Sequence, residues 1–138
     1  RRVSDWFLHT AVAEPTAPQR GSTSERFGTN NPVLVSVLEK MEASIDRPLS
    51  RAKLAAFAGV SERQLNRLFR EHLNDTFSNR YMTIRLQYGR RLVEQSPLSI
   101  SEIAFATGFA NASHFTSRFM QWFAETPTEL RKKLRQTS

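Results

Sequence analysis

The sequence of 138 residues contains no cysteine, which excludes disulfide bonds, thiolate zinc sites and a cysteine nucleophile. No apolar run approaches the roughly 18 residues that a membrane span needs. The three histidines, His9, His72 and His114, are scattered, and neither a glycine-rich phosphate loop nor a metal-binding His/Glu spacing occurs. We therefore expect no catalytic or metal-binding residues, no cofactor and no membrane partner, in a protein suited to the cytoplasm.

Positive charge is the first feature that the sequence has in excess. Lysine and arginine number 20 against 13 aspartates and glutamates, which gives a formal net charge of +7. Such a balance favours a polyanionic partner, because cations on the protein displace the counterions of a phosphate backbone. Charge alone also fits a basic protein with no nucleic-acid ligand, so the pattern of residues has to decide between the two.

A degenerate internal repeat is the most informative pattern. The segment 54–60, Leu-Ala-Ala-Phe-Ala-Gly-Val, recurs at 103–109 as Ile-Ala-Phe-Ala-Thr-Gly-Phe. A small alanine lets two helices cross closely, and a glycine ends the first helix in a left-handed conformation. Each copy leads to an apolar anchor, Leu65 or Phe115, followed four residues later by Phe69 or Phe119. The sequence thus predicts two helix-turn-helix motifs.

Capping residues and apolar spacing predict an all-α fold of about seven helices. Two helix-turn-helix subdomains, at about residues 50–73 and 99–123, are joined by a long linker helix at about 77–95. The folded domain is expected over residues 31–138. Residues 1–30 read as the end of a missing N-terminal domain followed, from Ala13, by a flexible linker that proteases should cut.

The second helix of each motif carries the candidate DNA-binding residues. When the apolar positions face the core, the residues between them face outward. Arginine, glutamine and asparagine are the side chains that read base edges. A solvated helix face is the alternative explanation, and it applies with more force to the second motif, whose outer face has hydroxyls, one imidazole and Met120. The candidates are Arg63, Gln64, Asn66, Arg67 and Arg70 in the first motif and Ser113, His114, Thr116 and Ser117 in the second.

These residues resemble the AraC/XylS-type bacterial transcription regulators over about residues 32–135. The resemblance lies mainly in the second motif. It consists of Arg91-Leu92, Ile103-Ala104, Gly108-Phe109, Ser113-His114-Phe115, Phe119, Phe123 and Thr126-Pro127. It implies seven helices, two of which enter successive major grooves of double-stranded DNA, and a transcriptional role, such as activation, that involves RNA polymerase.

Residues 3–9, Val-Ser-Asp-Trp-Phe-Leu-His, with Gln19-Arg20, also look like the end of the glutamine-amidotransferase-like sensor domain of one branch of that family. This second resemblance implies that a small-molecule effector acts only through a missing N-terminal domain, and that the full-length protein is a dimer. The chain departs from the family pattern at Asn74 and Ala124, where glycine is usual, and at Ser117 and Met120, where cations are frequent.

We interpret the chain as a sequence-specific DNA-binding domain of a bacterial transcription regulator. Two other functions remain open from the sequence. A helical protein-interaction module acting on the transcription machinery would be indifferent to DNA, whereas an architectural protein would bind DNA without sequence preference.

Overall fold

A computed structural model describes residues 25–137, and this part of the chain contains the seven α-helices given below, a short helical stretch at residues 25–27 and no strand. The helices are α1 (Pro32–Ala43), α2 (Arg51–Ala58), α3 (Glu62–Leu73), α4 (Phe77–Gln95), α5 (Ile100–Ala106), α6 (Ala112–Phe123) and α7 (Pro127–Thr137). The predicted fold class is confirmed: α2–α3 and α5–α6 are helix-turn-helix motifs, and the 19-residue α4 joins them. None of these helices is both long and apolar enough to cross a membrane.

Side-chain caps define where the helices begin. Asn31 Oδ1 accepts a hydrogen bond from the Leu34 N–H at the start of α1, at 3.1 Å. At the start of α5, Ser99 and Glu102 form a reciprocal capping box with bonds of 3.1 and 2.8 Å. Thr126 and Glu129 repeat that arrangement at the start of α7. Since each cap satisfies N–H groups that no helical carbonyl can reach, the local sequence sets these boundaries.

The chain divides into two compact units. The first comprises residues 25–43 and 49–80 of the described part, with a core to which α1, α2 and α3 all contribute. Its fully buried side chains include Leu34, Leu38, Met41, Leu54, Leu65 and Phe69. This core therefore holds the first helix-turn-helix by apolar contacts from three helices.

The segment just before α1 belongs to the first unit, which differs from the expectation of a linker through residue 30. Residues 25–27 are helical, Phe27 and Thr29 are buried, and Arg26 pairs with Glu42 of α1. Phe27 has only polar and glycine neighbours in the sequence, so no apolar pattern predicts that it contributes to the core. The expected sensor-domain remnant and the linker up to residue 24 lie outside the described residues.

The second unit comprises residues 44–48 and those from 81 onward. Its core contains Leu86, Leu92, Ile103, Phe115 and Phe119. Arg131 of α7 donates to four carbonyl oxygens at and beyond the end of α4, those of Leu92, Val93, Ser96 and Leu98, at 2.6 to 3.3 Å. Its guanidinium thereby ties α7 to the last turn of α4 and to the segment that follows it.

The end of α6 stores backbone strain at Ala124. This residue caps the helix at φ +62°, in the left-handed region that favours glycine, at a cost of about 1–2 kcal/mol for a residue with a Cβ. We expect Ala124→Gly to raise the free energy of unfolding by about 0.5–1 kcal/mol, after allowing for the greater freedom of glycine in the unfolded chain. Ala124→Val, at the same exposed position, should lower it. Urea denaturation followed by circular dichroism measures both, and a loss of stability in the glycine variant would contradict this account.

Candidate nucleic-acid interface

The turn of the first helix-turn-helix is built around Gly59. This residue ends α2 at φ +74°, its N–H bonds to the Ala56 carbonyl, and the Val60 N–H bonds to the Ala55 carbonyl at 3.0 Å. Ser61 then caps α3 by accepting the Gln64 N–H at 3.0 Å. Backbone and cap together fix the direction in which α3 leaves the turn.

Helix α3 has one apolar face and one polar face. Leu65 and Phe69 are completely buried, and the Phe69 ring packs edge-on against Phe77 at 6.1 Å. All five candidates predicted in this helix are exposed: Arg63, Gln64, Asn66, Arg67 and Arg70. The buried pair anchors the helix, so these five side chains share its solvent side.

The arginines on this face of α3 form at most one weak ion pair with other described residues. Arg67 Nε lies 4.0 Å from Glu71 Oε2, and both side chains are more than half exposed, so the pair contributes little and is easily exchanged for another anion. Within residues 25–137, Arg63 and Arg70 form no ion pair. Glu62, by contrast, is engaged by Arg51 of α2 at 3.3 Å. The exposed surface of α3 therefore presents three arginines that an incoming phosphate or base edge can reach.

The second helix-turn-helix follows the same plan with a longer turn. Gly108 has φ +80°, and Asn111 caps α6 by accepting the His114 N–H at 2.8 Å. The N-cap follows the glycine by three residues here and by two in the first motif, so this turn is one residue longer. A Cβ on Gly108 would lie 2.6 Å from the Ile45 carbonyl oxygen. The glycine is therefore required by space as well as by backbone conformation.

The outer face of α6 is less charged than that of α3. Three of its four candidates, Ser113, His114 and Ser117, are exposed, while Thr116 is half-buried. Met120 is 46% exposed. Phe115 and Phe119 occupy the core as expected, but Phe123 is only half-buried. The one cation of the helix, Arg118, is half-buried and donates to Gln121 at 3.1 Å.

Arg85 is a residue at this site that the sequence reasoning missed. Its Nε donates to the Thr107 carbonyl at 2.8 Å, and Nη2 donates to the Gly108 carbonyl at 3.0 Å. The guanidinium also lies 4.2 Å from the centre of the Phe109 ring. Burial lowers the pKa of Arg85, an effect that Tyr81 opposes, and an arginine remains charged in proteins. Since its partners lie 22 and 23 residues along the chain, no local pattern could have revealed it.

The described residues contain no cluster of three or more His, Cys, Asp or Glu side chains able to hold a metal ion. Each helix-turn-helix, taken by itself, instead exposes polar side chains on the helix that follows its tight turn. The basic one, α3, has the residue types that hydrogen-bond to base edges and phosphates.

Comparison with known proteins agrees with this arrangement. The family described as a helix-turn-helix domain matches residues 54–133. HTH-type transcriptional regulator GlxA of Rhizobium meliloti is 60% identical over 133 residues, which are 96% of this chain and 41% of GlxA. The chain thus spans about two fifths of the length of that relative.

Two solved structures carry the same fold. A transcriptional regulator with an AraC-type DNA-binding domain from Chromobacterium violaceum is 39% identical with a TM-score of 0.72, covering 78% of this chain and 96% of that one. The DNA-binding domain of AdpA, solved in complex with a target DNA, is 25% identical with a TM-score of 0.71 and the same two coverages.

Proposed function

Because the chain belongs to the AraC-type helix-turn-helix family, we propose that it is the sequence-specific DNA-binding part of a bacterial transcription regulator. Helix α3 and helix α6 act as recognition helices in adjacent major grooves of double-stranded DNA. The name of the AdpA structure, a family neighbour bound to target DNA, supports DNA as the partner.

The observation that carries this proposal is the exposed face of α3. Arg63 and Arg67, one helical turn apart, are exposed on a helix whose opposite side is locked by Leu65 and Phe69. A recognition helix needs this combination, because base readout requires extended side chains on a support that does not shift. Arginine bonds in a bidentate manner to guanine, and Gln64 and Asn66 have the amide groups that pair with adenine.

The two recognition helices contribute unequally in this proposal. The first supplies most of the affinity, since its cations can neutralise phosphates as well as read bases. The second offers the hydroxyls of Ser113, Thr116 and Ser117 and the imidazole of His114, groups that hydrogen-bond to base edges or phosphates, but no exposed arginine or lysine. Its role is therefore discrimination more than affinity.

The full-length regulator has further partners in this proposal. The relative GlxA extends well beyond the matched region, which supports a further region outside this chain, and we propose that this region senses the effector and dimerises. RNA polymerase is the proposed protein partner, and the chain itself is proposed to have no enzymatic activity and to act in the cytoplasm. The name of GlxA as a transcriptional regulator supports these assignments.

Selection of binding sites from a random duplex pool tests the proposal. We expect the chain to select a motif with two short blocks about 10 base pairs apart, centre to centre, because two recognition helices on one DNA face read positions separated by one helical turn. The block read by α3 should be the more strongly specified. A motif with one block, or with blocks on opposite faces of the duplex, would contradict DNA binding by two recognition helices in adjacent major grooves.

A further inference from the structure

A continuous set of contacts runs from α4 to the outer face of α6. Arg85 grips the turn of the second helix-turn-helix through the Thr107 and Gly108 carbonyls and lies against one side of the Phe109 ring. Phe109 is buried, and its ring meets the imidazole of His114 edge-on, with centroids 5.2 Å apart at 90°. The guanidinium of Arg85 therefore contacts the buried Phe109 ring, and that ring contacts the exposed His114 imidazole.

His114 is constrained from two directions. Its backbone N–H is held by the Asn111 cap at 2.8 Å, and its ring rests on Phe109, whose own position is fixed by Arg85 and by a second aromatic contact with Phe115 at 5.5 Å. An exposed imidazole on a helix would otherwise sample several rotamers. Contact with a buried ring narrows that choice and presents the ring nitrogens in a defined direction.

We propose that Arg85 is a positioning residue for the second recognition helix, α6, and that it acts through Phe109. His114 is then the side chain through which α6 distinguishes its DNA sequence. This inference rests on the proposed DNA-binding function and adds the mechanism by which a face with no exposed cation specifies bases. Hydrogen bonds from an imidazole to a base edge depend on direction, so a pre-set ring discriminates where a freely rotating one does not.

Arg131 provides a matched comparison within the same unit. It too is a half-buried arginine that donates to several main-chain carbonyls, but those lie at and beyond the end of α4, away from the turn before α6. If carbonyl-binding arginines only stabilise the fold, Arg85→Lys and Arg131→Lys should behave alike. Lysine keeps the charge in each but loses the planar fork that bonds two carbonyls at once.

The test measures base discrimination on the motif selected by the unaltered chain. Dissociation constants are determined for the motif and for duplexes with single base-pair changes in each block, using Arg85→Lys, His114→Ala, the double variant and Arg131→Lys. We expect Arg85→Lys and His114→Ala each to reduce discrimination at the same pair of the second block by about tenfold. The double variant should lose no more than either single variant, and Arg131→Lys should retain full discrimination. The first block should be read equally well by all of them.

The outcomes separate this inference from the proposed function. Additive losses in the double variant, or equal relaxation by Arg131→Lys, would overturn the positioning role of Arg85 while leaving DNA binding established. Failure of the unaltered chain to select any motif would overturn the proposed function and this inference together. If Arg85→Lys does not fold, Phe109→Leu takes its place, because it removes the ring contact with His114 while keeping an apolar side chain, and the same coupling to His114→Ala is expected.

Discussion

Replacing Arg63 or Arg67 with alanine is expected to weaken binding to the selected DNA site by about 1–3 kcal/mol each and to relax preference at one or two base pairs of the first block. Both side chains extend from the exposed face of a helix that is capped by Ser61 and anchored by Phe69. Truncation should leave the fold unchanged, because neither side chain contributes to the core. The loss therefore reports contacts with DNA.

Two control variants separate base reading from loss of charge. Lys132→Ala removes an exposed cation of α7, outside both recognition helices, and should reduce affinity slightly and equally for all sequences, because a charge that contacts no base edge adds affinity without sequence preference. Ser117→Ala tests the second recognition helix and should weaken binding to the selected site much less than either arginine variant. Titrations on the selected site and on single-base variants provide the measurement. Equal losses of affinity from Ser117→Ala and Arg67→Ala would show that the two recognition helices contribute equally to binding, which would contradict this account.

Substitution of the two turn glycines should have very different effects on stability. Gly59→Ala meets no atom within 4 Å and has only the cost of its positive φ, about 1–2 kcal/mol. Gly108→Ala has the same backbone cost, and its Cβ would also lie 2.6 Å from the Ile45 carbonyl oxygen and 2.7 Å from Pro48 Cδ. Since backbone and a proline ring cannot easily yield, we expect a total loss of about 2–5 kcal/mol.

Residue-resolved hydrogen exchange is the measurement that distinguishes these variants, because the chain divides into two units and one global transition is not assured. Gly108→Ala should lower the opening free energies of amides in α5 and α6, while Gly59→Ala should lower those in α2 and α3 by a smaller amount. A Gly108→Ala chain whose α5 and α6 amides stay as protected as before would show that the turn can move aside.

The parts of the fold that the sequence predicts are those decided by neighbouring residues. Ser50, Ser99 and Asn111 cap the helices they precede, because a cap and its acceptor N–H lie within three residues. Asn74 takes the left-handed cap at φ +50° where glycine is usual in the resembling family. Likewise, the spacing of Leu65 and Phe69 is enough to predict which face of α3 is buried.

The parts that sequence reasoning missed depend on residues far apart in the chain. Arg85 bonds to carbonyls 22 and 23 residues away, and Arg131 bonds to carbonyls 33 to 39 residues away. Phe27 joins the core of the first unit from a segment without helical periodicity. A single sequence shows the type of such a side chain but not what it contacts after folding. The hydrogen bonds of Arg85 to the turn carbonyls are therefore visible only in the structure.

Comparison of the affinity for the selected site with that for a scrambled duplex of the same composition, at about 150 mM salt, tests sequence-specific DNA binding most directly. Specific recognition predicts a ratio of at least about 10³ in favour of the selected site. Equal affinities for the two duplexes would instead indicate an architectural DNA-binding protein, and no binding to either would indicate a protein-interaction module. Either of these results would contradict the account.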